Sequence, residues 1–217
     1  MKIFISRRKE QVESLCKELE SLGHQVQAQS LIRTEEVDFP LPLPHCDWIF
    51  FSSAEAVRFF FRKNPVIPGI KIGAVGESTA EAIRQFSHVD YTGDSSDIDG
   101  TAKHFASHTE GQLVLFPGSE QSLRSIQSCK KNHEVMDLVC YRTIREPVAV
   151  AFTDVLVFSS PSNVEAFFAI NQHRNGSKYI AFGKSTAACL EKFGVSNAMI
   201  PQSLTDRDLL HAIKSVS

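Results

Sequence analysis

The sequence predicts an α/β protein with parallel sheets, built as two copies of one strand-and-helix pattern. Short apolar runs rich in Val, Ile and Phe alternate with amphipathic segments along the 217 residues. The stretch 47–53 matches 154–160 at an offset of 107 residues (154 − 47), and 72–80 matches 179–187 at the same offset without a gap. Two matches at one offset indicate an internal duplication. The alternation of strands and helices is typical of a parallel sheet covered on both faces.

The N-terminal part of the chain shows a short apolar strand followed by a helix with one buried face. Apolar side chains recur there at the helical spacing of three and four residues, at Val12, Leu15, Leu19 and Leu22. Gly23 stands where this helix is expected to end, because the turn after a helix often needs the left-handed backbone that glycine adopts readily.

The two matched strands, 48–51 and 155–158, are apolar at every position. A strand with one wet face would alternate apolar and polar residues, so both strands are expected to be buried on both faces. The Pro-rich stretch 39–45 and the polar stretch 93–100 are predicted to be loops.

Charge and cysteine content narrow the possible functions. The chain carries 23 Lys and Arg against 25 Asp and Glu, so it lacks the basic excess of a nucleic-acid-binding surface. Its cysteines are odd in number, widely spaced and without a Cys-x-x-Cys pair, which indicates buried thiols in a reducing compartment; they are Cys16, Cys46, Cys129, Cys140 and Cys189. No apolar run is long enough for a signal peptide or a membrane span. We therefore expect a cytoplasmic protein with no nucleic-acid or membrane partner.

Hydrogen-bond donors directly follow several of the predicted strands. A parallel sheet binds its ligands in this region, just outside the carboxyl ends of the strands. Five predicted helix starts carry hydroxyl residues or glycine, and Arg7 adds a charge after the first strand. The candidate ligand-binding residues are Arg7, Ser52, Ser53, Ser78, Thr79, Gly118, Ser119, Ser160, Ser162, Asn163, Gly183, Ser185 and Thr186. Any one of them is also explained by N-capping, since Ser, Thr and Asn are preferred at helix starts whatever the function. The set as a whole suits a ligand with several carboxylates or phosphates.

Two patterns that could indicate a cofactor or a metal are incomplete. The segment 183–186 resembles the end of a P-loop, but Lys178 occupies the position of the motif's first glycine, so ATP binding is rejected. His104 and His108 are four residues apart on a predicted helix, and no third ligand accompanies them. A solvated helix face is the favoured explanation, and neither a metal nor a cofactor is expected.

Acid–base chemistry points to a tyrosine. No Ser-His-Asp or Cys-His arrangement and no pair of close carboxylates can be assembled from local patterns. Tyr141 lies at the end of a predicted extended segment near the middle of the chain, where its phenol could donate a proton. A tyrosine packed in a hinge strand is the equally favoured alternative.

Four segments in series resemble the uroporphyrinogen-III synthase family. They are Leu-Phe-Pro-Gly at 115–118, Val-Cys-Tyr-Arg-Thr at 139–143, Phe-Ser-Ser-Pro-Ser at 158–162 and Ala-Phe-Gly-Lys-Ser-Thr-Ala at 181–187. Their order and spacing cover essentially the whole chain. The resemblance implies two flavodoxin-like domains joined by two crossing strands, one formed by residues 1–33 plus 147–217 and the other by residues 34–146.

The resemblance also implies a reaction. The family closes hydroxymethylbilane, a linear tetrapyrrole with eight carboxylates, into uroporphyrinogen III, losing water and inverting ring D without a cofactor. Tyr141 falls on the family's tyrosine and would hydrogen-bond the leaving hydroxyl as a general acid. The positions that bind or lie near substrate in the family match Ser96, Ser160, Ser162, Ser185 and Thr186, with Ser95 as the alternative to Ser96.

Two other interpretations also account for the donor-rich strand ends. One is a two-lobed module that binds a polyanionic small molecule without catalysis, which would not need Tyr141. The other is a doubly wound sugar-phosphate or nucleotide enzyme, which the missing phosphate fingerprints weaken. A monomer is expected because the sequence shows no stripe of exposed apolar residues that would indicate a protein–protein interface.

Overall fold

The computed structural model describes residues 1–122, 124–127, 134–201 and 205–216. Cys129 lies outside the described residues. The chain divides into two compact units, Met1–Arg33 with Ile144–Ser217, and Thr34–Thr143. The second boundary thus lies three residues before the position expected from the sequence.

Ten strands and seven α-helices follow one another in the described part of the chain. They are β1 (Lys2–Ile5), α1 (Glu13–Ser21), β2 (Gln25–Ala28), β3 (Ile32–Glu36), β4 (Trp48–Phe51), α2 (Ala54–Arg62), β5 (Lys71–Ala74), α3 (Glu77–Arg84), β6 (Tyr91–Thr92), α4 (Ile98–His108), β7 (Leu113–Ser119), β8 (Glu134–Arg145), β9 (Val155–Phe158), α5 (Pro161–Phe168), β10 (Lys178–Ala181), α6 (Lys184–Glu191) and α7 (Asp206–Ser215). A short 3-10 turn at Lys9–Gln11 precedes α1. None of these helices is long and apolar enough to cross a membrane.

The first unit contains a parallel sheet in the order β10-β9-β1-β2. Successive residues of a strand point to opposite faces, and each face has its own core. Ile3 packs with side chains of α1 and α7, whereas Phe4 packs with side chains of α5 and α6. Every residue of β9 is buried, which confirms the expected burial on both faces.

The second unit contains a six-stranded sheet in the order β3-β8-β7-β4-β5-β6. The pairs from β8 to β6 are parallel. Ile49 and Phe51 pack with α2 and α3 on one face, and Phe50 packs against Phe105 of α4 on the other. Mixed α/β architecture with parallel sheets is therefore confirmed for both units.

Gly118 and Ser119 were expected at a helix start, and the structure places them instead at the end of a strand. Strand β7 continues to Ser119, because β8 is twelve residues long and pairs with it as far as Tyr141. On its other side β7 pairs with β4 only at Val114 and Leu115. Pro117 is tolerated beyond that point because a proline, which has no N–H, disrupts a strand least where one side is unpaired.

Two smaller corrections concern the ends of elements. Tyr141 lies inside β8 and not at its end, since the strand runs on to Arg145. The predicted loop 93–100 ends early, because Asp97 caps α4 by accepting a hydrogen bond from the Gly100 N–H at 2.9 Å. Gly23 has a φ of 82° directly after the turn that closes α1, in agreement with the predicted helix end.

Candidate functional site

The carboxyl end of β4 presents two of the predicted serines. Ser52 is exposed, and Ser53 is the N-cap of α2, where its Oγ accepts a hydrogen bond from the Ala56 N–H at 3.1 Å. A serine is favoured there because its side-chain oxygen satisfies one of the unpaired N–H groups of the first helical turn. Ser53 is thus fixed in position by the start of the helix.

Tyr141 lies against the helix that Ser53 begins. Its ring stacks on the ring of Phe59 in α2, with centroids 5.2 Å apart and an interplanar angle of 13°. Burial raises the pKa of the phenol above its ordinary value of 10.0, opposed by a side-chain hydrogen bond with Ser53. The neighbouring groups Cys140 and Glu55 add smaller effects that also raise this pKa. The phenol is consequently protonated at neutral pH.

A pocket of about 230 Å³ opens at the carboxyl ends of β4 and β7. Ser52, Gly118 and Ser119 line it, so three of the predicted residues share one cavity. Two further charged residues, Arg124 and Asp137, also line the pocket and form an ion pair with each other. Neither was predicted from the sequence, because no local motif marks them and only the fold brings them together.

The predicted residues at the end of β5 divide into one exposed and one buried side chain. Ser78 is exposed in the first turn of α3, whereas Thr79 is 3% exposed and faces the core. Gly76 lets a neighbouring loop approach closely, because a Cβ at this position would lie 2.8 Å from the Cβ of Ser95. Ser95 therefore lies beside the start of α3.

Ser96 is exposed and bonded within its own loop. Its hydroxyl donates to Asp94 Oδ1 at 2.6 Å and its N–H donates to the same oxygen at 2.8 Å. These two hydrogen bonds lower the pKa of the Asp94 carboxyl. Ser95 carries no comparable bond to a carboxylate among the interactions described, so both serines stay candidates for ligand contact.

In the first unit the carboxyl ends of β1 and β10 bring together Arg7 and Gly183. The Arg7 guanidinium lies 3.5 Å from Asp206 in α7, and its Cζ is 5.7 Å from the ring centroid of Phe182. Gly183 precedes α6 with a φ of 85°, a backbone conformation that only glycine adopts without strain. A cation thus stands beside a helix start whose geometry depends on glycine.

The α6 residues predicted to bind ligand also divide by burial. Ser185 is exposed. Thr186 is 1% exposed, and its hydroxyl donates to the Phe182 carbonyl at 3.0 Å. Its side chain therefore serves the helix and is not open to a ligand.

The start of α5 contains a serine cap and a buried asparagine. Ser160 caps the helix by accepting from the Asn163 N–H at 3.3 Å, and Ser162 is partly exposed. Asn163 is 3% exposed, its Oδ1 accepts from the Leu31 N–H at 2.8 Å, and its Nδ2 donates to the hydroxyls of Ser159 and Ser160. The side chain of Asn163, a candidate ligand-binding residue, is therefore fully engaged in hydrogen bonds within the protein.

The histidine pair on α4 is bonded locally. His104 Nδ1 lies 3.1 Å from the Tyr91 hydroxyl, and His108 Nδ1 lies 2.8 Å from the His104 carbonyl oxygen. Within the described residues no group of three or more His, Cys, Asp or Glu side chains could hold a metal ion. Four cysteines, Cys16, Cys46, Cys140 and Cys189, are unpaired and buried.

Comparisons with known proteins give one consistent result. The family model described as uroporphyrinogen-III synthase HemD matches residues 13–211. No curated protein matches the chain. Among solved structures, the uroporphyrinogen-III synthetase of Helicobacter pylori is similar at a TM-score of 0.69 and 15% identity, covering 100% of this chain and 99% of that one. A mutant uroporphyrinogen III synthase of Thermus thermophilus gives a TM-score of 0.68 at 18% identity, covering 100% and 98%.

Proposed function

The chain belongs to the uroporphyrinogen-III synthase family and is a lyase that cyclises hydroxymethylbilane to uroporphyrinogen III, and we propose that Tyr141 is the general acid of this reaction. The match over residues 13–211 favours the enzyme over a module that only binds a polyanion. The observation that supports the role of Tyr141 is its position, stacked on Phe59 of α2, the helix that follows the carboxyl end of β4.

The first chemical step is the loss of the terminal hydroxyl. The C–O bond breaks as its electron pair moves to the oxygen, the Tyr141 O–H supplies a proton, and water leaves. The remaining azafulvene is a cation, and Tyr141 is left as a phenolate that recovers a proton when the ring has closed. The phenol is protonated at neutral pH, as a general acid must be before it acts, and the burial that raises its pKa also makes it a weaker proton donor.

The substrate carries carboxylates, and each unit offers exposed and partly exposed hydrogen-bond donors at its strand ends. We propose that Ser52, Ser53, Gly118 and Ser119 contact the carboxylates in the second unit together with Ser78 and either Ser95 or Ser96. In the first unit the proposed contacts are Arg7, Ser160, Ser162, Gly183 and Ser185. The side chains of Thr79, Asn163 and Thr186 are buried, so at these three positions only the backbone is a candidate for contact. Fixed donors that need no rearrangement are the most effective way to hold such a charged chain in a reactive shape.

We also propose that the two units are domains that arose by duplication. Their sheets support this, because the order β10-β9-β1-β2 corresponds to β5-β4-β7-β8. In that correspondence β9 matches β4 and β10 matches β5, which are the pairs that the sequence repeat aligns.

A cytoplasmic monomer is the proposed working form. The four buried, unpaired cysteines suit a reducing compartment. Exposed large apolar residues such as Leu22, Val66 and Phe152 lie on separate segments of the described chain. Light scattering of the purified protein at the mass of one chain, 24.2 kDa, would support the monomer, and twice that mass would contradict it.

The activity is tested by generating hydroxymethylbilane in place with a coupled enzyme and separating the oxidised uroporphyrin isomers. The family assignment predicts mostly type III product. Type I product at the spontaneous rate, from folded protein, would contradict it.

A further inference from the structure

We propose that the pocket at the carboxyl ends of β4 and β7 binds one side-chain carboxylate of the tetrapyrrole, and that Arg124 is the cation that pairs with it. The pocket has a volume of about 230 Å³. A cleft that encloses a whole drug-sized ligand measures roughly 300–1,000 Å³, so this pocket has the size for one arm of the substrate. This inference rests on the proposed function and adds a cation to the substrate contacts proposed for the second unit.

Arg124 is held at the pocket by a carboxylate that is itself fixed. Asp137 lies in β8, where it pairs with Phe116 of β7, and its Oδ2 forms the ion pair with Arg124 Nη2. Its Oδ1 accepts a hydrogen bond from the side-chain amide of Gln127 at 3.2 Å, and Gln127 is 4% exposed. Each oxygen of Asp137 thus has one partner, so the carboxylate serves to hold the guanidinium in place.

The Arg124 guanidinium keeps donors for a second carboxylate. Arginine carries five N–H donors in a planar fork, and the ion pair engages the nitrogen Nη2. The described part of the chain supplies no other partner for this side chain, which is 54% exposed. The backbone of Arg124 also has a φ of 55°, a left-handed conformation that residues other than glycine seldom adopt. Such conformations concentrate at binding and catalytic sites, and here the arginine lies in the wall of a pocket.

Two serine hydroxyls in the wall of the pocket add donors of a second kind. Ser119 Oγ accepts from the Gln121 N–H at 3.2 Å, and Ser122 Oγ accepts from the Arg124 N–H at 3.2 Å. A serine that accepts from the backbone still has its own proton to donate, and neither hydroxyl has an acceptor among the residues that the structure describes. With the exposed Ser52, these hydroxyls and the guanidinium give the pocket the donors that a carboxylate requires.

Glu120 is the group in the pocket that opposes a carboxylate. It lines the pocket, is exposed, and forms no ion pair with any described cation. A carboxylate in the pocket is therefore attracted by Arg124 and repelled by Glu120, whereas a pyrrole N–H would be attracted by Glu120. Opposite effects of the two residues on substrate binding thus identify the charge of the bound group.

Replacing Arg124 with methionine tests the proposal, because it removes the charge and keeps an unbranched side chain. We expect Arg124→Met to raise the KM of type III formation by about tenfold with kcat within about twofold, since a charge-assisted contact is lost before and during the reaction. Arg124→Lys keeps the charge without the fork and should lie between Arg124→Met and the parent protein. Glu120→Gln should lower KM by about twofold, the size of a surface charge effect. Lys71→Met is the matched control and should leave KM unchanged, because Lys71 contacts Trp48 at the amino end of β5 in the same sheet.

A second readout is independent of turnover. Anaerobic calorimetric titration with uroporphyrinogen III should give a Kd about tenfold higher for Arg124→Met than for the parent protein, and the Kd of the variant should depend less on ionic strength. An unchanged KM and an unchanged Kd in Arg124→Met, alongside a parent protein that makes type III product, would overturn the carboxylate site alone. An equal rise of KM in Lys71→Met would show general attraction of a charged substrate and also overturn it. A rise of KM in Glu120→Gln would mean that the pocket binds an N–H donor, again against the proposal. Type I product from the folded parent protein would overturn the proposed function itself.

Discussion

The ring of Tyr141 lies almost parallel to the ring of Phe59, with centroids 5.2 Å apart. Phe59 is 4% exposed and belongs to α2, so the phenol rests on a side chain that the core of the second unit holds in place. A general acid must keep its proton aimed at the leaving group, and misplacement by about 1 Å can cost about a hundredfold in rate. Phe59 is therefore expected to contribute to catalysis through Tyr141.

Replacing Phe59 with leucine tests this support. Phe59→Leu should lower kcat by about tenfold because the phenol loses its flat platform, and should lower the free energy of unfolding by about 1 kcal/mol. Phe61→Leu is the matched control, since Phe61 is buried in the same helix but stacks on Phe86. Equal losses of kcat in the two variants would show that the effect comes from the stability of α2 and not from the platform.

Arg7 is expected to bind a substrate carboxylate. Arg7→Met should raise KM by about tenfold with little change in kcat, because a charge-assisted contact made before and during the reaction is removed. Raising the ionic strength should raise the KM of the parent protein more than that of the variant. Lys17→Met removes a cation that is paired with Glu13 on the surface and should leave KM unchanged; an equal rise there would contradict a specific role for Arg7.

Asn163 is expected to act on stability and not on ligand binding. Asn163→Ala leaves the Leu31 N–H without its acceptor, so the free energy of unfolding should fall by about 2 kcal/mol in urea titration. Asn171→Ala is a matched control, because the Asn171 side chain similarly accepts from the Val150 N–H and donates to the Val148 carbonyl. A rise in KM for Asn163→Ala at unchanged stability would mean that the amide contacts the substrate.

Buried thiols are expected to weaken the fold at high pH. Burial raises the pKa of Cys140 from 9.0 to about 12 and that of Cys46 to about 11. The folded protein keeps these thiols neutral, whereas the unfolded chain ionises them from pH 9 upward, so stability falls as pH rises between those limits. Cys140→Ala should reduce this slope by about 1.4 kcal/mol per pH unit, measured by urea unfolding at a series of pH values. An unchanged slope would contradict the neutral buried thiol.

The sequence repeat supported the prediction of the strands more strongly than local residue patterns alone. The runs 48–51 and 155–158 became the fully buried strands β4 and β9, because an unbroken apolar run has few alternatives in a sheet with helices on both faces. The extension of β7 through Pro117 was missed, since it depends on the length of its neighbour β8. Pairing of that kind is decided by tertiary structure.

The candidate site was predicted in part. Hydroxyls at helix starts were found because capping and ligand binding use the same residues, but the sequence could not separate Ser185, which is exposed, from Thr186, which is buried one position later. The pair Arg124 and Asp137 was missed because the two residues approach only through the fold. Side-chain burial and long-range ion pairs depend on packing, which a single sequence does not display.

The separation of uroporphyrin isomers made by Tyr141→Phe and by the parent protein tests the central claim most directly. The parent should give type III product, whereas Tyr141→Phe, with an unchanged circular dichroism spectrum, should lose about a hundredfold or more in its rate of type III formation and leave type I product from spontaneous closure. Tyr179→Phe, which removes another buried hydroxyl that accepts from the Arg174 N–H, serves as the control. Type III formation by Tyr141→Phe at the parent rate would contradict the assignment of Tyr141 as the general acid.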